Sequence, residues 1–185
     1  MMDVKEAIER RRAYRALKIV DIDEELVEEL AGAARLSASC FNYQPWNYVF
    51  VYDEDTLEKM QEVMSSNNEW TRNASLIIAV FSKKDDDCVV KEREYFLFDT
   101  GMATALMILR ATELGLVAHP IAGFDETKSK EILGIPDEYR LITLVIVGEH
   151  TEETTELMTD KQIEIEKERP ERKELEEFVH HNTYK

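Results

Sequence analysis

The chain has 185 residues, of which 44% are hydrophobic and 34% charged, so it is long enough and apolar enough for one domain with one core. This composition excludes a chain that is disordered throughout. Lys plus Arg number 23 and Asp plus Glu 39, which gives a net charge of −16. Such a balance argues against a nucleic-acid or anionic-membrane partner, because both bind through phosphate neutralisation.

Three further features predict a cytoplasmic protein. The longest apolar run, residues 76–81, is far shorter than the roughly 20 residues that span a bilayer. The N-terminus lacks the basic and apolar regions of a signal peptide. Cys40 and Cys88 stand in no metal-binding or redox spacing, which suits a reducing compartment.

Apolar spacing and capping residues predict the elements in chain order. The expected helices are 4–11 after Asp3, 24–34 after Asp23, 55–64, a long helix over 90–114 closed by Gly115, and 125–134. The expected strands are 48–52, 76–81 and 141–148, with a short extended segment over 116–123.

Beyond Glu149 the composition shifts to charges and turns, with a short helix expected at 173–181. Residues 1–150 are therefore predicted to form the core, and residues 151–185 an arm of the same domain that packs on something else. Strands that alternate with helices indicate a layered fold of helices and sheet. Three clear strands make a thin sheet, which a partner subunit would complete.

Most catalytic signatures are absent: the sequence has no Gly-x-Gly-x-x-Gly, P-loop, His-Glu-x-x-His or Gly-x-Ser-x-Gly motif. The four histidines are scattered, so no metal site is expected. The acidic run 85–87 is interpreted as a solvated turn in preference to a cation site.

Three segments stand out. Residues 10–15 carry four arginines, whose donors match phosphate, although an exposed basic helix end is the simpler interpretation of that segment alone. Residues 37–46 combine hydroxyl, amide and aromatic side chains that suit a flat, heteroatom-rich ring, or an ordinary packed connection. Residues 115–125 form a tight backbone run rich in Gly and Pro before a capped helix.

In this order and spacing the three segments resemble the FMN-dependent nitroreductase family. The matching motifs are Arg-Arg-Ala-Tyr-Arg at 11–15, Ala-Ser-Cys-Phe-Asn-Tyr-Gln-Pro-Trp at 38–46, Gly-Leu at 115–116 through Gly-Phe-Asp at 123–125, Leu-Gly-Ile-Pro at 133–136, and the basic segment 169–173. Each motif is weak alone, but five in register over nearly the whole chain are specific.

The resemblance implies an α+β fold of three layers, α/β/α, with a central, mostly antiparallel sheet flanked by helices. It also implies an intertwined homodimer whose C-terminal arm crosses to the partner, with FMN at the interface. That dimer would explain the thin sheet and the tail.

The resemblance also implies which residues hold FMN. Arg11 and Arg12 would reach the phosphate, Arg15 the N1/O2 edge of the ring, and Asn67 its pyrimidine side. The other implied contacts are Ser39, Cys40 and Asn42 from the partner subunit, Pro120, Ile121 and Gly123 along one face and the N5 edge, and Arg172 with Lys173 or Arg169 at the phosphate. Two positions depart from the family pattern, since Ala13 replaces a serine and Ala122 stands where many members carry an acidic residue.

The implied activity passes hydride from NADH or NADPH through FMN to nitroaromatic, quinone or flavin acceptors by a ping-pong mechanism. No side chain of the chain is then the chemical catalyst, because the flavin carries the redox chemistry and the protein supplies orientation and electrostatics. Arg15 would stabilise negative charge on the ring. The alternatives are a specialised member, such as a reductive dehalogenase or flavin-fragmenting enzyme, and a flavin-binding or sensor protein without turnover.

Overall fold

A computed structural model describes residues 2–184 of the chain. Its helices are α1 (Val4–Arg10), α2 (Glu24–Arg35), α3 (Glu54–Gln61), α4 (Phe96–Glu113), α5 (Glu126–Leu133) and α6 (Asp160–Lys167). Its strands are β1 (Leu17–Lys18), β2 (Asn47–Val51), β3 (Leu76–Ser82), β4 (Val89–Val90), β5 (Arg93–Glu94), β6 (Leu116–Ile121) and β7 (Arg140–His150). Short 3₁₀ turns cover Cys40–Asn42, Ser66–Asn73, Lys84–Asp86 and Leu175–Glu177.

The main sheet has five strands, and every pairing in it is antiparallel. β7 is its longest strand and pairs with β1, β3 and β6, while β2 adds to the outer side of β3. The sheet is therefore wider than the three strands expected from the sequence. The two extra members are the very short β1 and the segment β6, which lack the long apolar run that marks a central strand.

The sheet is covered on both faces, because β3 is apolar up to Phe81 and β7 is buried throughout its central segment, residues 144–148. Ile77 and Ala79 of β3 pack with α3 and α5 on one face. Ile78 and Val80 pack with α2 and α4 on the other. This is the predicted three-layer α/β/α arrangement.

Side-chain caps explain where the helices begin. Asp3, Asp23, Asp53 and Asp125 each accept a backbone N–H two or three positions into the following helix. At the other end of α4, Gly115 adopts φ +84°, as expected for a residue that ends a helix. Helices α1, α2 and α5 lie close to the predicted ranges, while α3 ends three residues early.

Two predictions of secondary structure were wrong. Residues 90–114 are not one helix: β4 and β5 form a hairpin around Lys91, which adopts φ 60°, and α4 begins only at Phe96. No Gly or Pro marks that turn in the sequence.

In the tail, the expected helix at 173–181 is only the turn Leu175–Glu177. A helix that the sequence reasoning missed, α6, begins at a capping box of Thr159 and Gln162.

Candidate functional site

Three arginines from the two ends of the chain gather beside α1. The guanidinium of Arg169 donates to the carbonyl of Arg11 at 2.9 Å and to that of Glu9. Burial, followed by the charges of Arg169 and Arg172, lowers the pKa of Arg11 below its ordinary value. Within residues 2–184, none of the three forms an ion pair with a carboxylate. The structure thus brings Arg11 together with two of the predicted tail cations, and Lys173 follows them as an exposed residue.

Arg12 is held differently from Arg11. Its Nη2 donates to the carbonyls of Ile165, Glu166 and Glu168 at 3.1, 3.2 and 2.8 Å, and its guanidinium lies 4.4 Å from the centre of the Tyr14 ring. These carbonyl groups lie at the C-terminal end of α6, where no N–H of the helix is left to donate to them. Arg12 therefore anchors α6 to the N-terminal segment, a role that the arginine motif did not suggest. Its predicted phosphate contact stays a prediction.

Arg15 lies against a buried aromatic stack. Its backbone N–H donates to Glu166 Oε1 at 2.9 Å, and its guanidinium lies 5.9 Å from the centre of the Trp70 ring. Trp70 is fully buried and stacks on His119 with 4.8 Å between ring centres. The half-buried Ala13 between these arginines offers only a methyl group.

His119 is the buried end of this stack. Its Nδ1 lies 3.0 Å from the carbonyl of Tyr14, which can only accept, so Nδ1 carries the proton. Burial, opposed in part by this hydrogen bond, lowers the pKa of His119 to about 4. A neutral imidazole therefore adds no charge beside Arg15 at pH 7.

The segment that follows β6 has a fixed backbone. Asn68 Nδ2 and the N–H of Ser65 both donate to the carbonyl of Gly123, at 2.9 and 3.0 Å. A Cβ on Gly123 would lie 2.5 Å from Ser65 Oγ and 2.8 Å from Asn68 Nδ2, so any larger residue would displace these two side chains. Pro120 and Ala122 face solvent on either side of the buried Ile121.

The two neighbouring asparagines have separate surroundings. The predicted Asn67 is exposed, and its carbonyl accepts from Gln162 Nε2 at 2.7 Å. Asn68, which the sequence reasoning missed, accepts from Trp70 Nε1 at 3.2 Å besides holding Gly123. Nothing in the sequence distinguishes two adjacent asparagines.

The loop 37–46 is strained. Phe41, Asn42 and Gln44 all have positive φ, of 49°, 61° and 52°. Ser39 Oγ accepts from the N–H of Gln44 at 2.9 Å, and Asp99 Oδ2 accepts from the N–H of Cys40 at 2.6 Å. Asn42 is exposed.

A disulfide joins this loop to the segment after β3. Cys40 and Cys88 are bonded, with their Cα atoms 6.0 Å apart. The sequence interpretation of two reduced cysteines in no redox spacing is therefore corrected, because tertiary structure brings together residues that are 48 positions apart. The two cysteines are therefore no longer an argument that the protein works in a reducing compartment.

Two buried carboxylates beside the disulfide were also missed. Asp99 and Asp87 are 2% and 9% exposed, so the solvated turn predicted for 85–87 is confirmed for the exposed Asp85 and the half-buried Asp86 but is wrong for Asp87. Burial, followed by the neighbouring Asp99, raises the pKa of Asp87. An Asp87 oxygen and both cysteine sulfurs lie within 4.8 Å of one another, but the sulfurs are bonded together and so unavailable as thiolate ligands. The only signal in the sequence was an acid next to a cysteine.

The predicted site residues thus fall into two groups within one chain. One contains Arg11, Arg15 and residues 120–123, and the other is the loop 37–46. In the part of the chain that the structure describes, no hydrogen bond or ion pair links segment 10–15 to this loop. In residues 2–184 no helix is long and apolar enough to cross a bilayer.

Comparison with known proteins agrees with this fold. A family model described as "Nitroreductase family" matches residues 8–68 and 63–149. This chain belongs to the nitroreductase family. Membership places it among oxidoreductases.

Relatives of this nitroreductase family member carry related names. Two proteins named for proposed NADH dehydrogenase/NAD(P)H nitroreductase activity match it. The one from Methanothermobacter thermautotrophicus is 31% identical over 63% of this chain, which spans 59% of that relative's length. The one from Archaeoglobus fulgidus is 28% identical over 80% of this chain and 86% of its own. A crystal structure titled as an oxidoreductase containing FMN is 25% identical, with a TM-score of 0.83 over 97% of this chain and 91% of that one.

Proposed function

We propose that this chain is an FMN-dependent oxidoreductase that uses NADH or NADPH to reduce nitroaromatic, quinone or flavin acceptors in a ping-pong cycle. Support comes from its family, from the FMN-containing structural neighbour, and from the arginine cluster. We expect a small-molecule acceptor, no nucleic-acid or membrane partner, and a cytoplasmic location.

The observation that carries the proposal is the group of Arg11, Arg169 and Arg172. Mutual repulsion and burial destabilise these charges in the folded chain, as the lowered pKa of Arg11 indicates. A dianionic phosphate would relieve that repulsion and accept their hydrogen bonds. The residues present therefore fit the phosphate end of FMN, in a protein whose net charge of −16 would otherwise repel it.

FMN, when bound, would supply the two-electron chemistry between the nicotinamide and the acceptor. Arg15 would favour negative charge at the N1/O2 edge of the ring, in a partly buried place where a cation acts more strongly than in water. The fixed backbone of residues 120–123 would line the ring. The neutral His119 supports this arrangement because it holds the carbonyl of Tyr14 next to Arg15.

We also propose that residues 151–185 act as an arm in a homodimer. The exposed tail carries apolar residues that its own chain leaves uncovered, as does α4; they are Leu175, Phe178 and Val179 in the tail and Leu97, Phe98 and Leu106 in α4. A second subunit would cover these side chains and bring the loop 37–46 to the other arginine cluster. Lys185 lies outside the described residues.

The binding test is Arg11→Ala, with Arg140→Ala, an exposed arginine on β7, as the matched control. Loss of a charge-assisted hydrogen bond removes about 1.5–3 kcal/mol, so the FMN Kd should rise roughly 10- to 150-fold in Arg11→Ala and stay unchanged in the control. Flavin fluorescence measures both. Equal affinities in the two variants would remove Arg11 from the phosphate site.

The catalytic test is oxidation of NADH and NADPH with menadione or a nitroaromatic acceptor. Turnover that depends on added FMN is expected, whereas a protein that binds FMN without turnover would be a sensor or binding module. Arg15→Ala should slow reduction of the bound flavin in stopped flow more than it weakens FMN binding. Unchanged reduction rates would contradict the assigned role of Arg15.

A further inference from the structure

The disulfide between Cys40 and Cys88 has the surroundings of a reactive site. Cys88 is 8% exposed and lines a cleft of about 440 Å³ together with Phe41, Tyr43 and residues 85–90. The cleft lining includes Cys88 but not Cys40. Cys40 is the more exposed of the two residues, so a thiol from solvent can attack either sulfur, and the other cysteine is then the leaving group.

A buried carboxyl group is placed where that exchange needs a proton carrier. Asp87 Oδ1 accepts the N–H of Cys88 at 2.7 Å, while Oδ2 is buried and receives no hydrogen bond from a backbone or side-chain donor of residues 2–184, although the carboxyl group of Asp99 lies close enough to share a proton with Asp87. A carboxylate oxygen of Asp87 lies within 4.8 Å of both sulfurs. A buried polar atom without a hydrogen bond is rare and is often tied to function. Since burial and Asp99 raise its pKa, Asp87 can hold a proton closer to neutral pH than an exposed carboxyl.

The disulfide also fixes the most strained part of the chain. The left-handed residues Phe41, Asn42 and Gln44 directly follow Cys40, whose N–H is bound by Asp99. Strained backbone persists only where its surroundings impose it. Cleavage of the disulfide would remove the covalent part of that constraint and leave the bond to Asp99.

We propose that Cys40–Cys88 is a redox-active disulfide that exchanges with dithiols, with Asp87 as its proton carrier, and that its oxidised form holds the loop 37–46 in the shape that receives the cofactor. The second half rests on the proposed function, and the first half does not. Neither the family match nor the names of the relatives assign such a site.

The exchange balances in two steps. One thiol of the dithiol loses its proton to solvent and attacks one cysteine sulfur, the bond between Cys40 and Cys88 breaks, and the cysteine that leaves takes the proton of Asp87. The second thiol of the dithiol gives its proton to Asp87 and attacks the mixed disulfide, which releases the other cysteine as a thiolate that takes a proton from solvent. Two electrons pass to the protein, the dithiol leaves as its own disulfide, and the two protons it loses are balanced by the two that the cysteines gain, one through Asp87 and one through solvent.

The first experiment measures the rate of thiol formation with dithiothreitol in the folded protein, by alkylation and mass spectrometry between pH 5 and 8. Asp87→Asn keeps an acceptor for the N–H of Cys88 but cannot carry the proton, so reduction should slow at least about tenfold and its rate should rise with pH only as the thiolate fraction of dithiothreitol does. Asp86→Asn, one position away, is the matched control and should behave as wild type. The other titratable or charged groups around the cleft are Asp99, Asp85, Asp86, Tyr43, Tyr95, Lys83, and the pair of Lys84 with Glu94.

Two outcomes would overturn the exchange. One is a disulfide that dithiothreitol reduces only after the protein unfolds. The other is that Asp87→Asn and Asp86→Asn change the rate of disulfide reduction by the same factor.

The second experiment compares FMN affinity of the oxidised protein, the protein reduced and desalted under nitrogen, and the variant with both Cys40→Ser and Cys88→Ser. Oxidised protein should bind at least about tenfold more tightly than the other two. Equal affinities would overturn control of the cofactor loop. If no form binds FMN, the proposed function fails and the control of binding fails with it, while the exchange rates still decide the redox activity of the disulfide.

Discussion

The arginine side and the loop side of the candidate site are held in shape by different forces. Arg15 lies against the fully buried ring of Trp70, and the backbone carbonyl of Arg11 accepts a hydrogen bond from Arg169. The loop 37–46 is exposed over much of its length, and a disulfide and the carboxylate of Asp99 hold it. The shape of the arginine side depends on the hydrophobic core, whereas the shape of the loop side depends on the disulfide and on polar contacts such as the one to Asp99.

The two sides also differ in charge. Arg11, Arg169 and Arg172, which have no carboxylate partner within residues 2–184, mark one side, and the carboxyl groups of Asp87 and Asp99 mark the other. A phosphate would therefore select the arginine side, and the loop side would contribute backbone and neutral side chains.

Trp70→Ala should cause the largest loss of stability, about 3–5 kcal/mol, because it empties a fully buried aromatic site under Arg15. Urea unfolding monitored by circular dichroism measures the loss. Trp70→Phe is the control: it keeps a ring for the stack with His119 but loses the hydrogen bond to Asn68, so about 1 kcal/mol is expected. A loss below 1 kcal/mol in Trp70→Ala would show that the arginine side does not rest on this ring.

Removal of the disulfide by the Cys40→Ser and Cys88→Ser pair should lower the free energy of unfolding by about 2–4 kcal/mol, because the unfolded chain regains the freedom of a loop of 48 residues. Wild type unfolded in the presence of dithiothreitol should match the serine pair. Proteolysis of the folded serine pair should cut first within 37–46. First cleavage beside Arg11 would reverse the proposed contrast between the two sides.

Acid should weaken the arginine side through His119. The pKa of its imidazole is lowered to about 4 in the folded chain from an ordinary 6.5, so the unfolded chain binds a proton first. The contribution of neutral His119 to the free energy of unfolding is therefore complete above pH 6.5. As the pH falls towards 4, the free energy of unfolding decreases by roughly 2–3 kcal/mol. His119→Gln can still donate to the Tyr14 carbonyl and should not show this loss. If the free energy of unfolding depends on pH in the same way in wild type and in His119→Gln, His119 is not the group responsible for the loss in acid.

Arg12→Ala should have the smallest effect, about 1–2 kcal/mol, because its hydrogen bonds are half exposed. Hydrogen exchange should increase in α6, while FMN affinity should fall less than in Arg11→Ala. If instead Arg12→Ala weakened FMN binding as much as Arg11→Ala, Arg12 would belong to the phosphate site as the motif predicts.

Much of the fold could be predicted because the local signals are strong. The aspartates Asp3, Asp23 and Asp125 predicted the starts of three helices, and the apolar runs of β3 and β7 located the centre of the sheet. The hairpin of β4 and β5 was missed because its left-handed residue is Lys91, which no turn preference marks. Helix α6 was missed because its capping box lies in a charged tail without a clear apolar stripe.

The candidate site was predicted as a set of segments more accurately than as a set of contacts. The motif identified Arg11 and Arg12 together, but only the structure separates the unpaired Arg11 from Arg12, which holds α6. It likewise separates Asn67 from Asn68. Side chains that are adjacent in sequence diverge in space according to which element packs against each one.

The sequence by itself determined the layered fold, the caps, the charge and the family motifs, because each depends on residues within a few positions of one another. Only the tertiary structure decided the disulfide between Cys40 and Cys88, the burial of Asp87 beside it, and the meeting of Arg11 with Arg169. Each of these features depends on how distant parts of the chain pack together, and the spacing of residues along the sequence does not predict that. Long-range contacts follow from how the sheet and helices close around the core, which no short segment specifies.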